Sequence, residues 1–456
     1  MDNTLSRREF LRRAGMLAAT GVAAPMAFNL SLMSEAAAAA SPSDYKALVC
    51  VFLAGGNDHQ NTVVPYDLQS YQAYANIRQT IATPRDRLLP LASLLSDGRQ
   101  MALAPQLSGL ATLFAAGRLG IVANMGPLAQ PTTKAQYQNH TAVLPPKLFS
   151  HNDQQSYWMS SMAEGADSGW GGRVGDLFLS GNGNAALSCI SVGGNGLYLS
   201  GQQARSFAVG TGGNPLLLWG STNLFGPSYI SELKALMSSN KNNYLEDEYV
   251  KVTQRGLNTS AQLDAALKAA PVLNTSFPAN NSLADSLKMV AKLISTRGQL
   301  GNQRQVFMVQ LAGFDMHDRL SSQHPILLKA LNDALTAFDG ALTELGLQDQ
   351  VTTFTGSEFG RTLSSNGDGS DHGWASHHFV MGGAVAGGQI HGRVPLPVIG
   401  GADDVGQGRY IPDLSVEQLA WPLAKWFGVP ESDRYLVLPT LAKFDENALR
   451  IMKPGP

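Results

Sequence analysis

Apolar residues along this chain gather in short runs, separated by stretches in which they recur every three or four positions. The runs fall at 47-54, 119-124, 186-192, 305-312 and 351-355, each of a length suited to a strand. A strand buried on both faces loses the strict apolar/polar alternation of a half-exposed sheet. Continuous runs alternating with helical segments therefore predict an α/β fold, with a mostly parallel central sheet and helices on both faces. The clearest unit is the last pair of runs. Between them Leu327, Leu331, Leu335, Phe338, Leu342 and Leu345 define one helical face. Pro325 is expected to open that helix, where a missing N–H is tolerated, and Gly346 to lie near its end. With Arg304 to Leu311 before it and Val351 to Thr355 after it, this is a βαβ crossover. Ser415 to Phe427 reads as a further covering helix, stopped by Gly428 and Pro430. Residues 195-228 are rich in Gly and Asn, and 229-298 carry helical patterns without motifs. The region 195-300 is expected to be an insertion or cap within one domain covering 41-456.

The first forty residues obey a different pattern. Ser6-Arg7-Arg8-Glu9-Phe10-Leu11 and Arg12-Arg13 precede a moderately apolar run from Ala14 to Leu30 and the small-residue tract Ala36 to Ala40. A charged start, an apolar stretch and an A-x-A cleavage option predict a twin-arginine export signal over 1-40, removed from a periplasmic or extracellular protein. No other run reaches the ~18 apolar residues of a membrane span, so no stable insertion is expected once the signal is gone. Charged residues are only 15% of the chain, against roughly 25% in ordinary soluble domains. Without residues 1-40 the chain carries 29 bases against 32 acids, a balance that attracts neither nucleic acid nor an anionic membrane. Cys50 and Cys189 both lie in apolar segments and read as core thiols, and neither opens a Cys-x-Pro-x-Arg sequence.

Against this sparse background the acids and histidines concentrate at strand ends. The loops Gly55-Gly56-Asn57-Asp58-His59-Gln60-Asn61, Gly313-Phe314-Asp315-Met316-His317-Asp318 and Gly356-Ser357-Glu358-Phe359-Gly360-Arg361 follow three strand runs. They fall at the carboxyl edge, where open α/β sheets bind ligands. Asp58, Asp315, His317, Glu358, Asp371 and His372 are the candidate metal ligands. Such oxygen and nitrogen donors suit one or two divalent ions, Zn²⁺, Mn²⁺, Mg²⁺ or Ca²⁺, with the carboxylate excess leaning toward the harder ions. The same spacing also fits acids that cap helices or bond the backbone. Three of the nine histidines lie within Asp371-His372-Gly373-Trp374-Ala375-Ser376-His377-His378. There His372 is the best ligand candidate, with one of His377 and His378 facing inward. Ser150 opens a helical stretch through Trp158 and is either a nucleophile at a helix N-terminus or an ordinary N-cap. Arg361 either clamps an anionic oxygen or pairs with Glu358 to hold its loop.

Leu53-Ala54-Gly55-Gly56-Asn57-Asp58, Gly313-Phe314-Asp315-Met316-His317, Ser357-Glu358-Phe359-Gly360-Arg361-Thr362 and Asp371-His372-Gly373-Trp374, together with the twin-arginine start, closely resemble the exported bacterial family called domain of unknown function 1501. That family is regarded as related to the alkaline phosphatase and sulfatase superfamily. The resemblance implies an alkaline phosphatase-like three-layer sandwich and a two-metal site acting on phosphate or sulfate esters. It assigns Asp58 as an early ligand and Ser150 as the nucleophile, and Asp315, His317 and His372 as further ligands. Ser357-Glu358-Phe359-Gly360 is similar to the superfamily's Ser-Asp-His-Gly block, with Phe359 in place of a ligand histidine. The implied function is a metal-dependent hydrolase of a small-molecule or polymer ester. The alternative is a non-catalytic envelope protein whose degenerate cleft binds a glycan, a surface polymer or an exported partner.

Overall fold

The computed structural model describes residues 44–193, 196–213 and 243–454, with the isolated positions Glu232, Ala235, Met237 and Ser239. The export signal expected over 1-40, and part of the region 195-300, lie outside the described residues. The strands are β1 (Lys46–Ala54), β2 (Val63–Pro65), β3 (Leu89–Leu94), β4 (Gln100–Leu103), β5 (Leu119–Gly126) and β6 (Cys189–Val192). There follow β7 (Phe207–Ala208), β8 (Arg304–Ala312), β9 (Val351–Gly356), β10 (Ser376–Met381), β11 (Ile390–His391) and β12 (Leu414–Ser415). The main sheet runs β11-β5-β10-β9-β1-β8-β6-β7, and β12 also pairs with β5. All its pairings are parallel except those of β10, which runs antiparallel to β5 and β9. A small antiparallel sheet, β2-β4-β3, stands apart.

The longer helices are α1 (Leu68–Arg78), α2 (Ser108–Ala115), α3 (His151–Ser160), α4 (Trp170–Asp176), α5 (Tyr244–Ala269), α6 (Ser282–Ser295), α7 (Leu320–Glu344) and α8 (Val416–Phe427). Side chains of β1 point alternately to two separate cores, as the pleat requires. Ala47, Val49, Val51 and Leu53 meet Leu110 of α2, Leu287 and Ile294 of α6, and Leu331, Leu335 and Phe338 of α7. Leu48, Cys50 and Phe52 meet Trp158 of α3, Val174 of α4, and Leu419, Leu423 and Phe427 of α8. This is a three-layer α/β sandwich. Each fully buried Val, Leu or Phe side chain contributes about 1.5–3 kcal/mol, so both helical layers are anchored through the same strands. Cys50 and Cys189 are free thiols buried in the second core. Among the described residues, no helix is long and apolar enough to cross a membrane.

Two boundaries differ from expectation. α7 starts at Leu320, one turn before Pro325, which lies inside it. Asp368 takes up the first free donors: its Oδ2 accepts from the Arg319 N–H at 3.1 Å and its carbonyl from Leu320 at 2.9 Å. The carbonyl of Arg319 accepts from Ser322 and Gln323, which completes a turn ahead of the proline. The run at 186-192 is strand only from Cys189, because Ala185–Leu187 forms a 3-10 turn with the Asn184 side chain accepting from Ala186. The crossover β8–α7–β9 passes over β1, which lies between the two strands. As a result the loops after β9, β1 and β8 stand side by side at one edge. Gly55 has φ +117°, and a Cβ there would lie 2.3 Å from the Asp315 backbone nitrogen. Only glycine permits that approach of the two loops.

Candidate metal centre

Asp315, in the loop that follows β8, is the hub of the site. Its Oδ1 lies 3.1 Å from Nε2 of both His317 and His372, and its Oδ2 lies 3.3 Å from Nε2 of His151. His317 Nε2 and His372 Nε2 are 3.0 Å apart. One donor atom each from His151, Asp315 and His372 lie mutually within 4.8 Å, and this is the metal-competent cluster among the described residues. His151 reaches it from the first residue of α3, and His372 from a loop bridged in antiparallel fashion to Arg361. The centre is open on the Asp315 and His317 side and closed behind by Glu358 and Arg361, which are buried.

Each imidazole is fixed through its other nitrogen. His151 Nδ1 lies 2.8 Å from Glu358 Oε1, His372 Nδ1 lies 2.7 Å from the Phe149 carbonyl, and His317 Nδ1 lies 3.1 Å from Asp371 Oδ1. A carbonyl only accepts, so His372 Nδ1 carries hydrogen and, in the neutral ring, Nε2 presents a lone pair. A lone pair directed at a carboxylate repels it unless a proton or a metal ion lies between, and the arrangement has room for either. His151 Nε2 is buried without a hydrogen-bond partner despite its closeness to Asp315. Outer anchoring of this kind is what ligating histidines receive. Two imidazole nitrogens and one carboxylate, with a third imidazole beside them, suit Zn²⁺ and Mn²⁺ better than the oxygen-seeking Ca²⁺ or Mg²⁺.

The charges are uneven. Burial pushes the Asp315 carboxyl up, but the hydrogen bond and charge of Arg361, with His372 and His151, outweigh it and hold it at about 2. The Glu358 hydrogen bond raises His151 above its ordinary value against the effect of burial. Burial lowers His372. Asp371 also lies below the usual carboxylate range, because hydrogen bonds from Asn366 and His317 exceed the opposing effect of burial.

Of the residues expected from sequence, Asp315 and His372 enter the cluster and His317 abuts it. The others occupy different places. Asp58 is buried in an ion pair with Arg78 of α1 through Oδ2, its Oδ1 has no hydrogen-bond partner, and it lies outside the cluster. Glu358 Oε1 accepts from Gly55 N–H at 2.9 Å and Gln155 Nε2 at 3.1 Å as well as facing His151, so it acts behind the centre. Asp371 likewise orients His317. Arg361 pairs with Asp315, not Glu358, and donates to the carbonyls of Gly55, Gly56, Phe314 and Ser370. Its guanidinium ties three loops together, and Nη1 also lies 3.5 Å from His317 Nε2. Ser150 donates its hydroxyl to Asp153 Oδ2 at 2.9 Å, with no side-chain cap bond. The residue beside it, His151, is the one that joins the cluster. Its only sequence signal was that adjacency at a helix start. His377 and His378 are buried on β10, His377 Nδ1 accepting from Asn124 N–H at 3.0 Å. Phe359 stacks on His372 with ring centroids 4.5 Å apart and leans on His151 at 4.9 Å, forming an apolar wall of the centre.

Among solved structures, Ps i-CgsB in complex with k-i-k-neocarrahexaose is similar to this chain at 10% identity and TM-score 0.37, over 86% of this chain and 74% of that one. The PsFucS1 sulfatase from Pseudoalteromonas sp. is similar at 9% identity and TM-score 0.36, over 89% and 71%. No protein with a curated description matches the sequence. The family described as protein of unknown function (DUF1501) matches residues 45–420, through the strand-end loops and the histidine segment alike, and the chain belongs to it.

Proposed function

We propose that this protein is a metal-dependent hydrolase of phosphate or sulfate esters, acting after export. The observation that carries the reading is the convergence of three imidazole Nε2 atoms on Asp315, each ring held by an oxygen at Nδ1. His151, Asp315 and His372 would hold the cation, with His317 beside them. Such an ion supplies Lewis-acid polarisation of an ester oxygen and stabilises charge that develops on it. Glu358 and the Phe149 carbonyl keep Nε2 of His151 and His372 turned inward. Phe359 excludes water from one side of both rings. His317, beside the open edge and paired with Asp371, is positioned to hold or release a proton at Nε2. No step of this scheme is routed through Ser150, whose hydroxyl donates to Asp153 Oδ2. Export rests on the Arg7-Arg8 and Arg12-Arg13 start.

The test is metal analysis with an aryl ester screen. Gently purified protein should carry about one equivalent of Zn²⁺ or Mn²⁺ and turn over 4-nitrophenyl phosphate or 4-nitrophenyl sulfate. Glu358→Gln should weaken metal affinity about 10–100-fold, as loss of an outer partner does, whereas Ser150→Ala should retain both metal and turnover. Protein that takes up no ion removes the reading. Protein that binds metal but leaves both esters intact removes the hydrolase and keeps a binding cleft.

A further inference from the structure

An ester of sulfate or phosphate brings negative oxygens to a centre already ringed by Asp315, Glu358 and Asp371, so a cation with free donors is needed beside it. The nearby cations are mostly committed. Arg361 donates to four carbonyls and Asp315. Arg78 holds Asp58 and the carbonyls of Thr362 and Leu363. Lys147 faces Asp153 and Glu164, and Arg319 faces Asp318.

Arg409 differs. Its Nε donates to the His372 carbonyl at 2.8 Å, and its Cζ lies 5.1 Å from the centroid of the Phe149 ring. Phe149 thus carries the guanidinium on its ring and the His372 imidazole on its carbonyl. The charge of Arg409 also reaches Asp371, the partner of His317. No acceptor among the described residues meets Nη1 or Nη2 of this half-buried side chain. Its root is rigid: buried Asp404 accepts from the N–H groups of Gly400, Gly406 and Gly408 at 2.7–2.8 Å, and Arg409 closes the turn through Gly406 and Val405. A guanidinium gripped at Nε and on one face presents its remaining N–H groups as a fixed fork, which suits two oxygens of a tetrahedral oxyanion.

We infer that Arg409 is the oxyanion-recognising residue of this site, selecting sulfate or phosphate groups; the inference rests on the metal-centre reading above. The probes are inorganic sulfate and inorganic phosphate, titrated calorimetrically into metal-loaded protein, with metal affinity measured separately. Arg409→Gln should weaken oxyanion affinity at least tenfold and leave metal affinity within twofold. Arg409→Lys, which keeps the charge and loses the fork, should fall between the two and serves if the glutamine variant does not fold. The better-bound probe identifies which ester class the residue favours. Oxyanion affinity unchanged in both variants, or no oxyanion binding by metal-loaded unsubstituted protein, overturns the assignment. Failure to bind metal at all overturns the earlier reading instead. In that case the same anion titration, on metal-free protein and its Arg409 variants, still decides the role of Arg409.

Discussion

Asp58 and Arg78 are buried together, their side chains 2% and 0% exposed, outside the cluster of His151, Asp315 and His372. The pair locks the first loop of the site to α1, since Arg78 also donates to the carbonyls of Thr362 and Leu363 in the third. Breaking a buried pair strands the remaining charge, at a cost of about 3–5 kcal/mol. Arg78→Met should therefore lower stability by roughly that amount in urea denaturation, and adding Asp58→Asn should recover a good part of it. An Asp58→Asn protein that loses metal while retaining full stability would return Asp58 to the ligand set. From sequence, an acid at a strand end beside glycines reads as a ligand. Its partner lies twenty residues on, at the far end of a helix, and nothing local announces that the helix turns back. Phe149 is hidden for a related reason. It sits at φ +73°, a conformation costly for a bulky residue, and only the assembled loop explains why its carbonyl is held against His372.

Elements buried on both sides were the most legible, because a strand such as β1 needs apolar residues at every position. β1, β5, β8 and β9 fall on the expected runs within two residues at their ends. The two-residue strands β7, β11 and β12 have no period to read. The antiparallel β10 opens on Ser376-His377-His378, which looks like part of a site. The start of α7 was misplaced because proline speaks only for its own N–H, while the preceding turn depends on Asp368, remote in sequence. Adjacency of the strand-end loops is a property of strand order and can be probed through Gly55. Gly55→Ala places a methyl against Asp315 in a backbone region alanine avoids. It should destabilise by at least about 2 kcal/mol and weaken metal binding as β1 and β8 part. Gly346→Ala, also at positive φ but with open space around it, should cost only about 1 kcal/mol and leave metal binding intact. Equal effects of the two on metal affinity would argue against loop contact as the cause.

On the scale of the whole molecule, the four fully buried histidines are kept neutral by burial: His324 and His377 at about 4, His378 at about 3, and His59 well below its ordinary value. In the unfolded chain each takes up a proton near pH 6.5. Between that value and the folded one the unfolded state binds more protons, so stability is full above pH 6.5 and is lost as pH falls. Each histidine contributes a slope of up to about 1.4 kcal/mol per pH unit in that window. Urea midpoints measured with chelator present should decline from pH 7.5 through 6 to 5, and a flat profile would show that these rings are not held neutral. The architecture has a further consequence in time. β1 completes its pairing only with β8 and β9, which begin at Arg304 and Val351. At about 5–20 residues per second of synthesis, the first strand waits on the order of 13–50 s for its nearest partner to be made. Through that interval an apolar edge is exposed and no ligand loop has a neighbour. Any ion uptake by the proposed centre would therefore follow completion of nearly the whole polypeptide, since a chain stalled before Arg304 lacks both Asp315 and His372.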